Sequence, residues 1–358
     1  MSNIRVAVAM SGGVDSSLTT LLLKEQGYDV FGITMLLSDD RRDNAMEGDI
    51  PKYIADAQKV AEGLGIEHHV LDLRDKFKEC IVDCFVNEYA QGRTPNPCVI
   101  CNRQIKFAEI WNLAKSLGAD YMATGHYARV MKDENSQRYV VKKGVDNHKD
   151  QSYALYRLPQ EILSHVLLPL GEICKTETRA LAEKYGLIVA DKPESQEICF
   201  VPDDDYKALI RKLSPEVLKK GDIVDIKGKV LGRHDGIALY TIGQRKGMGI
   251  AAPEPLYVVK LDSQKNQVVV GGAKDVFSNG LIADQVNWVA LDDVKEPFIA
   301  TVKVRYGNRE NQATITPLEN GTVQVDFMEP VRAVTPGQSA VFYNEDTVLG
   351  GGIILHSI

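Results

Sequence analysis

The sequence predicts an α/β domain at the amino terminus, then a small mainly β central domain and a C-terminal β-barrel. Apolar runs alternate with helical patterns up to about Tyr206, which is typical of a parallel sheet with helices packed on it. Beyond that residue, short strands with glycine turns replace the helices. From Leu281 onward apolar and polar residues alternate around the hairpin signal Asn320-Gly321, as expected for a small closed barrel. We therefore place the domains at residues 1–205, 206–278 and 279–358.

The first domain alternates strands and helices. The expected strands are Ile4 to Ala9, Tyr28 to Met35, Ile66 to Leu73 and Ala119 to Thr124. The expected helices are Leu18 to Gln26, Ile54 to Leu64, Phe77 to Tyr89, Cys101 to Leu117 and Thr176 to Tyr185. Open parallel sheets bind ligands at the carboxyl ends of their strands, so Met35 is expected either to pack against a bound base or to fill the core.

The composition is that of an ordinary globular protein, with 44% hydrophobic and 25% charged residues among 358. There is no apolar run long enough to span a bilayer and no amino-terminal signal segment, so we expect a cytoplasmic protein without a membrane partner. We also expect a monomer. Six irregularly spaced cysteines argue against a disulfide scaffold and for reactive, metal-binding or buried thiols. The net charge of −7 does not favour nucleic acid, so any RNA-binding surface must be local.

A glycine turn joins the first strand to the first helix, in the stretch Ala9-Met10-Ser11-Gly12-Gly13-Val14-Asp15-Ser16-Ser17. Residues without Cβ let backbone N–H groups approach a phosphate, and the positive end of the helix faces the anion. The three serines add hydroxyl donors, and Asp15 could help to hold a magnesium ion. The patterns Gly-x-x-x-x-Gly-Lys-Ser/Thr and Gly-x-Gly-x-x-Gly are both absent. The turn therefore predicts a phosphate-binding loop of a less common class, and the alternative is a plain Gly-Gly turn.

Two cysteines follow a proline-rich approach in Thr94-Pro95-Asn96-Pro97-Cys98-Val99-Ile100-Cys101. Helical periodicity begins at Cys101, and a helix amino terminus lowers the pKa of a thiol. Cys98 and Cys101 are a redox pair, half of a metal site, or a nucleophile with a neighbour; no second Cys-x-x-Cys supports a four-thiolate zinc site. Cys199 lies far downstream between Ile198 and Phe200, where a buried cysteine is the simplest interpretation.

Other polar positions leave two interpretations open. Gly125 would let a ligand approach the backbone, and His126 either faces a phosphate or base or is a satisfied histidine at a strand end. Asp150 could be a helix cap. The glycine-rich loop Thr241 to Gly249 carries Arg245 and Lys246, which suits contact with a phosphate backbone, although a flexible surface loop is the alternative.

Six motifs in order resemble those of the bacterial tRNA-specific 2-thiouridylases, which have an N-type ATP pyrophosphatase (PP-loop) domain. They are Ser-Gly-Gly-Val-Asp-Ser at 11–16, Thr-Pro-Asn-Pro-Cys-x-x-Cys-Asn at 94–102, Ala-Thr-Gly-His-Tyr at 123–127, Lys-Asp-Gln-Ser-Tyr at 149–153, Ser-Gln-Glu-Ile-Cys-Phe-Val at 195–201 and Thr-Ile-Gly-Gln-Arg-Lys-Gly at 241–247. The loop alone would indicate only the superfamily. Six ordered motifs over nearly the whole chain are far more specific.

The resemblance implies a tRNA-uridine 2-sulfurtransferase that acts on the wobble uridine, position 34. ATP, with Mg²⁺, would adenylate the C2 oxygen and release pyrophosphate, and AMP would leave when sulfur arrives. Cys199 would carry a persulfide and Cys101 would act as the partner nucleophile, leaving a Cys101–Cys199 disulfide. The implied partners are tRNAs for Lys, Glu and Gln and a cysteine desulfurase or sulfur-carrier protein.

The resemblance also assigns binding residues by position. Those for ATP are Ala9, Met10, Ser11, Gly12, Gly13, Val14, Asp15, Ser16, Met35 and Gly125. Those for the target base and the rest of the tRNA are Asn96, Pro97, Cys98, His126, Lys149, Asp150, Gln151, Arg305, Tyr306 and Gln338.

One position departs from the family, because some members carry Asp where this chain has Cys98, and a thiol is a weaker general base near neutral pH. A rival chemistry has Cys98, Cys101 and Cys199 holding an iron–sulfur cluster with one iron open for sulfide. Two other functions compete with thiolation: a PP-loop ligase for amide formation or nitrogen transfer, and a catalytically silent nucleotide-gated RNA-binding module.

Overall fold

The computed structural model describes residues 4–38, 46–47, 50–192, 198–292 and 294–358. The first part of the motif at 195–201, Ser195-Gln196-Glu197, lies outside these residues. Within them no helix has the length and apolar character needed to cross a membrane.

A five-stranded parallel sheet forms the centre of the first domain, as predicted. Its strands are β1 (Arg5–Ala9), β2 (Asp29–Leu36), β5 (His68–Asp72), β6 (Tyr121–Ala123) and β9 (Val166–Leu167), in the order β5-β2-β1-β6-β9. Two short strands, β3 (Met46–Glu47) and β4 (Ile50–Pro51), pair with each other. The central strand β1 is buried on both faces, which explains its continuous apolar run.

Helices cover this sheet and continue into the next domain. They are α1 (Val14–Glu25), α2 (Lys52–Leu64), α3 (Arg74–Phe77), α4 (Cys84–Ala90), α5 (Pro97–Cys101), α6 (Phe107–Ser116), α7 (Gln160–Leu163), α8 (Lys175–Lys184) and α9 (Tyr206–Leu213). Two expected continuous helices are interrupted by π-helical turns, at Lys78–Asp83 between α3 and α4 and at Asn102–Lys106 between α5 and α6. Short 3₁₀ turns lie at Ser152–Leu155, Pro169–Glu172, Pro202–Asp204, Pro215–Val217 and Ile237–Leu239.

The central domain is a small four-stranded sheet. Its strands are β10 (Gly221–Asp225), β11 (Val230–His234), β12 (Tyr257–Asp262) and β13 (Gln267–Gly271), in the order β11-β10-β13-β12. β12 and β13 form an antiparallel hairpin. Ile223, Val258 and Val268 are fully buried beneath this sheet.

The C-terminal strands close into a barrel, which confirms the fold prediction. They are β14 (Phe277–Trp288), β15 (Phe298–Lys303), β16 (Asn311–Pro317), β17 (Val323–Arg332), β18 (Ser339–Asn344) and β19 (Thr347–Ser357). Pairing of β14 with β19 completes the ring, and the Asn320-Gly321 turn joins β16 to β17.

One hairpin of the first domain is added to the outside of the barrel. It consists of β7 (Ala128–Lys132) and β8 (Tyr139–Lys143), and Lys142 of β8 pairs with Thr347 of β19. Arg129 of the hairpin also forms an ion pair with Asp346, at 2.8 Å. The first domain and the barrel therefore share one continuous sheet, although they are far apart in the sequence.

Candidate active site at the phosphate loop and the cysteine helix

The predicted phosphate loop has the required strand–turn–helix geometry. β1 ends at Ala9, Gly13 is extended and α1 begins at Val14. Gly12 has φ +69°, and a Cβ there would lie 2.2 Å from the carbonyl oxygen of Tyr53. Gly12 is therefore required both by its left-handed backbone and by the close approach of α2.

Two serines of the loop, Ser16 and Ser17, are buried, whereas Ser11 is exposed. Ser16 Oγ accepts a hydrogen bond from Ser11 N at 3.1 Å and donates to Gly13 O at 3.2 Å. Ser17 Oγ donates to the same carbonyl at 2.9 Å, and Ser17 is fully buried. Ser17 therefore cannot supply the phosphate donor that the sequence predicts, whereas Ser11 is exposed.

Asp15, the predicted magnesium ligand, is held by two residues from other elements. Lys175 Nζ lies 2.6 and 2.8 Å from its carboxylate oxygens, and the Tyr127 hydroxyl donates to Oδ1 at 2.8 Å. About a third of the Asp15 side chain is exposed, at 32%. A Mg²⁺ ion that arrives with nucleotide phosphates needs one or two protein carboxylates. The Asp15 carboxylate could supply one of them while it remains paired with Lys175.

A second lysine reaches the loop from a distant part of the chain. Lys192 Nζ donates to Gly12 O at 3.1 Å and to Asp56 Oδ2 at 2.9 Å, while Lys52 pairs with Asp56 Oδ1 at 3.1 Å. Burial raises the pKa of Asp56, but the hydrogen bonds and charges of the two lysines outweigh it and leave that pKa below its ordinary value. Lys192 is 180 residues from Gly12, so no local pattern could have predicted this contact.

Gly125 and His126 border the loop. A Cβ on Gly125 would lie 2.9 Å from atoms of Asp15 and Ser16, so the first turn of α1 packs closely against this glycine, and contact of Gly125 with ATP remains a prediction. His126 is 8% exposed, and its Nδ1 lies 2.7 Å from Thr124 Oγ1. Burial, with a smaller effect of Lys106, lowers the pKa of His126 well below its ordinary value. This burial favours the interpretation of a satisfied histidine at a strand end, and contact of His126 with tRNA remains a prediction.

Met35 stands near the carboxyl end of β2, as predicted. Its side chain is half-buried, and its carbonyl oxygen lies 3.4 Å from the Tyr53 hydroxyl. Contact with adenine remains a prediction.

The cysteine helix begins earlier than the sequence indicated. α5 starts at Pro97, with Asn96 as its cap: Asn96 Oδ1 accepts a hydrogen bond from Val99 N at 3.4 Å. Cys98 therefore lies in the first turn and Cys101 is the last residue of α5. The expected position at a helix amino terminus applies to Cys98 and not to Cys101.

The Cys98 thiol is exposed but surrounded by protein. Burial raises its pKa, Cys199 raises it further by its charge, and Lys106 opposes them. Cys98 is thus a protonated thiol near neutral pH.

Two cysteines that are distant in the sequence contact the same apolar cluster. Cys101 and Cys199 are both half-buried and pack against one apolar cluster that contains Phe77, Phe85 and Phe200. The electrostatic effect of Cys199 on Cys98 places these two thiols in the same neighbourhood. No disulfide joins cysteines in the part of the chain that the structure describes.

The described part of the chain contains no preformed site for a single metal ion. Among the described residues no group of three or more His, Cys, Asp or Glu side chains is arranged to hold a metal ion. An iron–sulfur cluster held by Cys98, Cys101 and Cys199 remains an alternative prediction.

Several predicted tRNA contacts are occupied within the protein. Asp150 is 7% exposed, and its carboxylate accepts hydrogen bonds from Gly144 N and Ser152 N, at 3.2 and 3.0 Å, which favours the capping interpretation. Gln151 Oε1 accepts from Tyr127 N at 2.9 Å. Lys149 is half-buried. The Asp150 and Gln151 side chains thus stabilise the fold, and their contact with RNA remains a prediction.

The three barrel residues that are predicted to bind tRNA differ in exposure and in their hydrogen bonds. Tyr306 is 49% exposed, and its hydroxyl donates to Asp150 O at 3.0 Å. Arg305 lies two residues beyond the end of β15, donates to Ile242 O and Thr335 Oγ1 and is half-buried. Gln338 Nε2 donates to Thr94 O and Pro95 O, at 2.9 and 3.1 Å. Only Tyr306 of these three presents a large free face for stacking on a base.

A basic cleft of about 440 Å³ opens between α9, the glycine-rich loop and the barrel. Its cationic lining residues are Lys207, Lys246, Arg305 and Arg332. The sequence had indicated Lys246 and Arg305 only. Lys207 and Arg332 carry no local signal, because they lie on an amphipathic helix and at a strand end and meet only in the folded chain.

Three family models together match nearly the whole chain. They are described as a tRNA methyl transferase HUP domain at residues 4–203, a tRNA methyl transferase PRC-barrel domain at 208–272 and an aminomethyltransferase β-barrel domain at 278–354.

The chain is similar to curated proteins over almost its full length. It is 52% identical over 356 residues to tRNA-specific 2-thiouridylase MnmA 2 of Thermoanaerobacter sp. (strain X514), covering 98% of each chain. It is 49% identical over 358 residues to tRNA-specific 2-thiouridylase MnmA of Acetivibrio thermocellus, covering 99% of this chain and all of the relative. Among solved structures, the U34-tRNA thiolase NcsA of Methanococcus maripaludis, which carries a [4Fe-4S] cluster, is 21% identical with a TM-score of 0.36, covering 61% of this chain and 68% of that one. This structural likeness is too weak to support an argument about chemistry.

Proposed function

The chain belongs to the family of tRNA-specific 2-thiouridylases, and from that premise we propose that it replaces the C2 oxygen of the wobble uridine of tRNA with sulfur, using ATP. The observation that supports this most is that Cys101 and Cys199 pack against the same apolar cluster, with Cys98 near enough to Cys199 for the charge of one to affect the other. A ligase that transfers nitrogen would need the phosphate loop but would have no use for converging thiols.

The first chemical step activates the base. The C2 oxygen is a poor leaving group, so it attacks the α-phosphate of ATP, the α–β bond breaks and pyrophosphate leaves. Backbone N–H groups of the Ser11–Ser16 loop and the end of α1 would stabilise the charge on the phosphates, and Asp15 would hold the accompanying Mg²⁺. Met35 would lie against the adenine.

The second step transfers sulfur. The terminal sulfur of a Cys199 persulfide attacks C2, and AMP leaves with the former C2 oxygen. The Cys101 thiolate then attacks the Cys199 sulfur, which breaks the S–S bond, leaves sulfur on the base and forms a Cys101–Cys199 disulfide. A thiol reductant must reopen that disulfide, and a cysteine desulfurase, directly or through a carrier protein, supplies the next sulfur.

Asn96, Pro97 and Cys98 would surround the target base, with Tyr306 and Lys149 on the RNA side. The raised pKa of Cys98 supports a role for its thiol as a neutral neighbour of the base and not as the general base that an aspartate would provide.

The test is thiolation in vitro. Purified protein, ATP, unmodified tRNA for Lys, Glu or Gln and a cysteine desulfurase are expected to yield 2-thiouridine, measured by nucleoside mass spectrometry. Cys101→Ser and Cys199→Ser should abolish the product, whereas Cys84→Ser, which alters a half-buried thiol of α4, should retain it.

The competing functions give different results. Full pyrophosphate release by Cys199→Ser on a carboxylate or carbonyl substrate would favour the ligase, and tRNA binding without pyrophosphate release would favour the silent RNA-binding module. Iron and sulfide in anaerobically purified protein would favour the cluster chemistry. Unchanged 2-thiouridine in bulk tRNA from cells that lack this protein would contradict the proposal.

A further inference from the structure

A loop of the barrel holds the segment that leads into the cysteine helix. We name residues 333–338, between β17 and β18, the barrel loop. Pro336 O accepts a hydrogen bond from Thr94 N at 2.8 Å, and Gln338 Nε2 donates to Thr94 O and Pro95 O at 2.9 and 3.1 Å. Three hydrogen bonds thus fix the two residues that precede Asn96, the cap of α5.

The barrel loop and this segment are also in direct backbone contact. Gly337 has φ +90°, and a Cβ there would lie 2.9 to 3.0 Å from the backbone atoms of Thr94. Only glycine permits that approach, because any side chain would push Thr94 away.

The barrel loop is itself anchored on its other side. Arg305 donates to Thr335 Oγ1 and to Ile242 O of the central domain. Thr335 is 1% exposed and donates to Ala333 O at 2.8 Å. The loop is therefore a rigid support that is tied to both other domains.

A buried tyrosine adds a second connection to the helix cap. The Tyr153 hydroxyl donates to Ser339 O, at 2.9 Å, directly after the barrel loop, and the Asn96 side chain is near enough to lower the pKa of Tyr153. Tyr153 therefore lies between the barrel and the cap of α5.

We propose that the barrel loop, which Arg305 anchors, positions α5, so that Gln338 acts as a positioning residue for Cys98 and Cys101 and not as an RNA contact. This rests on the proposed function for its catalytic meaning, but the positioning itself is a property of the protein without tRNA or ATP. Both N–H donors of the Gln338 side-chain amide are bonded to carbonyl oxygens, so this side chain has no donor left for RNA.

Thiol reactivity tests the positioning directly. Gln338→Glu keeps the size of the side chain, removes both donors and places a carboxylate against two carbonyl oxygens; Gln338→Met removes the donors without adding charge. We expect iodoacetamide to alkylate Cys98 several-fold faster near pH 7.5 in both variants, with the midpoint of its pH profile shifted downward. The reason is that a displaced α5 would expose the Cys98 thiol to more water and so reduce the burial that raises its pKa.

Other residues serve as controls in the same experiment. Mass spectrometry of each cysteine peptide should show unchanged rates for exposed Cys174 and half-buried Cys84. Gln312→Glu makes the same chemical change at an exposed position of β16 and should leave Cys98 unaffected. An unaltered Cys98 profile in both Gln338 variants, or a uniform rise across all cysteines, would overturn the proposal.

Steady-state kinetics distinguish positioning from RNA contact. For Gln338→Met we expect kcat to fall at least tenfold while KM for tRNA changes less than about twofold, because the chemistry is disturbed and binding is not. A raised KM with unchanged kcat would show that Gln338 binds RNA. The alkylation result does not depend on thiolation, so failure of the proposed function and failure of the positioning role can be told apart.

Discussion

Lys192 connects two parts of the phosphate site that are distant in the chain. Its ammonium group bridges the Gly12 carbonyl and the buried Asp56 carboxylate, and Lys52 pairs with the other oxygen of Asp56 from a more exposed position. The side chains of Lys192 and Lys52 are 26% and 49% exposed, so the two lysines share a partner but differ in burial.

We expect Lys192→Met to weaken ATP binding by roughly tenfold, about 1.4 kcal/mol, since the Gly12 carbonyl and Asp56 each lose a hydrogen bond at the loop. Lys52→Met is the matched control and should cost less than about 1 kcal/mol in stability, with little effect on ATP, because water screens the half-exposed ammonium group of Lys52. Isothermal titration calorimetry gives the affinities. Equal effects of the two substitutions on ATP binding would count against a specific role of Lys192 at the loop.

The lowered pKa of His126 should make the stability of the protein depend on pH. Burial lowers its pKa in the folded protein, so the unfolded chain binds a proton below its own pKa of about 6.5 while the folded protein does not. Stability is therefore complete above that pH and falls as the pH decreases, by up to about 1.4 kcal/mol per pH unit for this residue.

His126→Asn keeps a polar atom near Thr124 Oγ1 but cannot titrate. Urea unfolding at pH 7.5 and 5.5 should show a smaller loss of stability on acidification in the variant than in the unaltered protein. The same loss in both proteins would mean that His126 does not contribute. His68 and His234 also have pKa values lowered by burial, so a residual slope is expected.

At the scale of elements, the turn between β1 and α1 depends on a close approach of α2. Gly12→Ala would force a Cβ to within 2.2 Å of Tyr53 O at a left-handed backbone position. We expect a loss of 2 kcal/mol or more in unfolding free energy, as a rough estimate, and a loss of ATP binding.

Gly63 offers a control within the same pair of elements. It lies inside α2, and a Cβ there would have nothing within 4 Å. Gly63→Ala should stabilise the protein by about 0.5–1 kcal/mol because it removes backbone freedom from the unfolded chain. Denaturant unfolding measures both variants, and a neutral Gly12→Ala would show that α2 can move away from the loop.

At the scale of the whole molecule, an acidic protein carries a local basic surface. The net charge is −7, yet Lys207, Lys246, Arg305 and Arg332 line one cleft between the central domain and the barrel. This arrangement satisfies the requirement that any RNA-binding surface of an acidic protein be local.

We expect Lys207→Glu and Arg332→Glu each to weaken tRNA binding several-fold at low salt and to lower the slope of log K against log salt by about one, because each removes a phosphate contact. Lys265→Glu, at an exposed position in the turn between β12 and β13, makes the same charge change outside the cleft. Filter binding across a salt series measures the slopes, and identical slopes for all three variants would remove the cleft from the RNA path. ATP affinity should not change.

Local sequence patterns were sufficient to predict much of this architecture. Ile4 to Ala9, the two glycines and the following helix lie within one short stretch, so their hydrogen bonds and periodicity are encoded side by side, and the turn at Asn320-Gly321 is equally local. The cysteine motif was identifiable for the same reason. The start of α5 was not, because two prolines obscured a helix that Asn96 caps.

The sequence by itself determined the parallel-sheet domain, the phosphate loop, the barrel and the cysteines, since each depends on neighbours within a few residues. The tertiary structure alone decided that Lys192 meets Gly12, that Gln338 holds Thr94 and Pro95 and that His126 and Asp150 are buried. Those outcomes depend on contacts across as many as 244 residues and on exclusion of water, and neither leaves a trace in the local spacing of side chains.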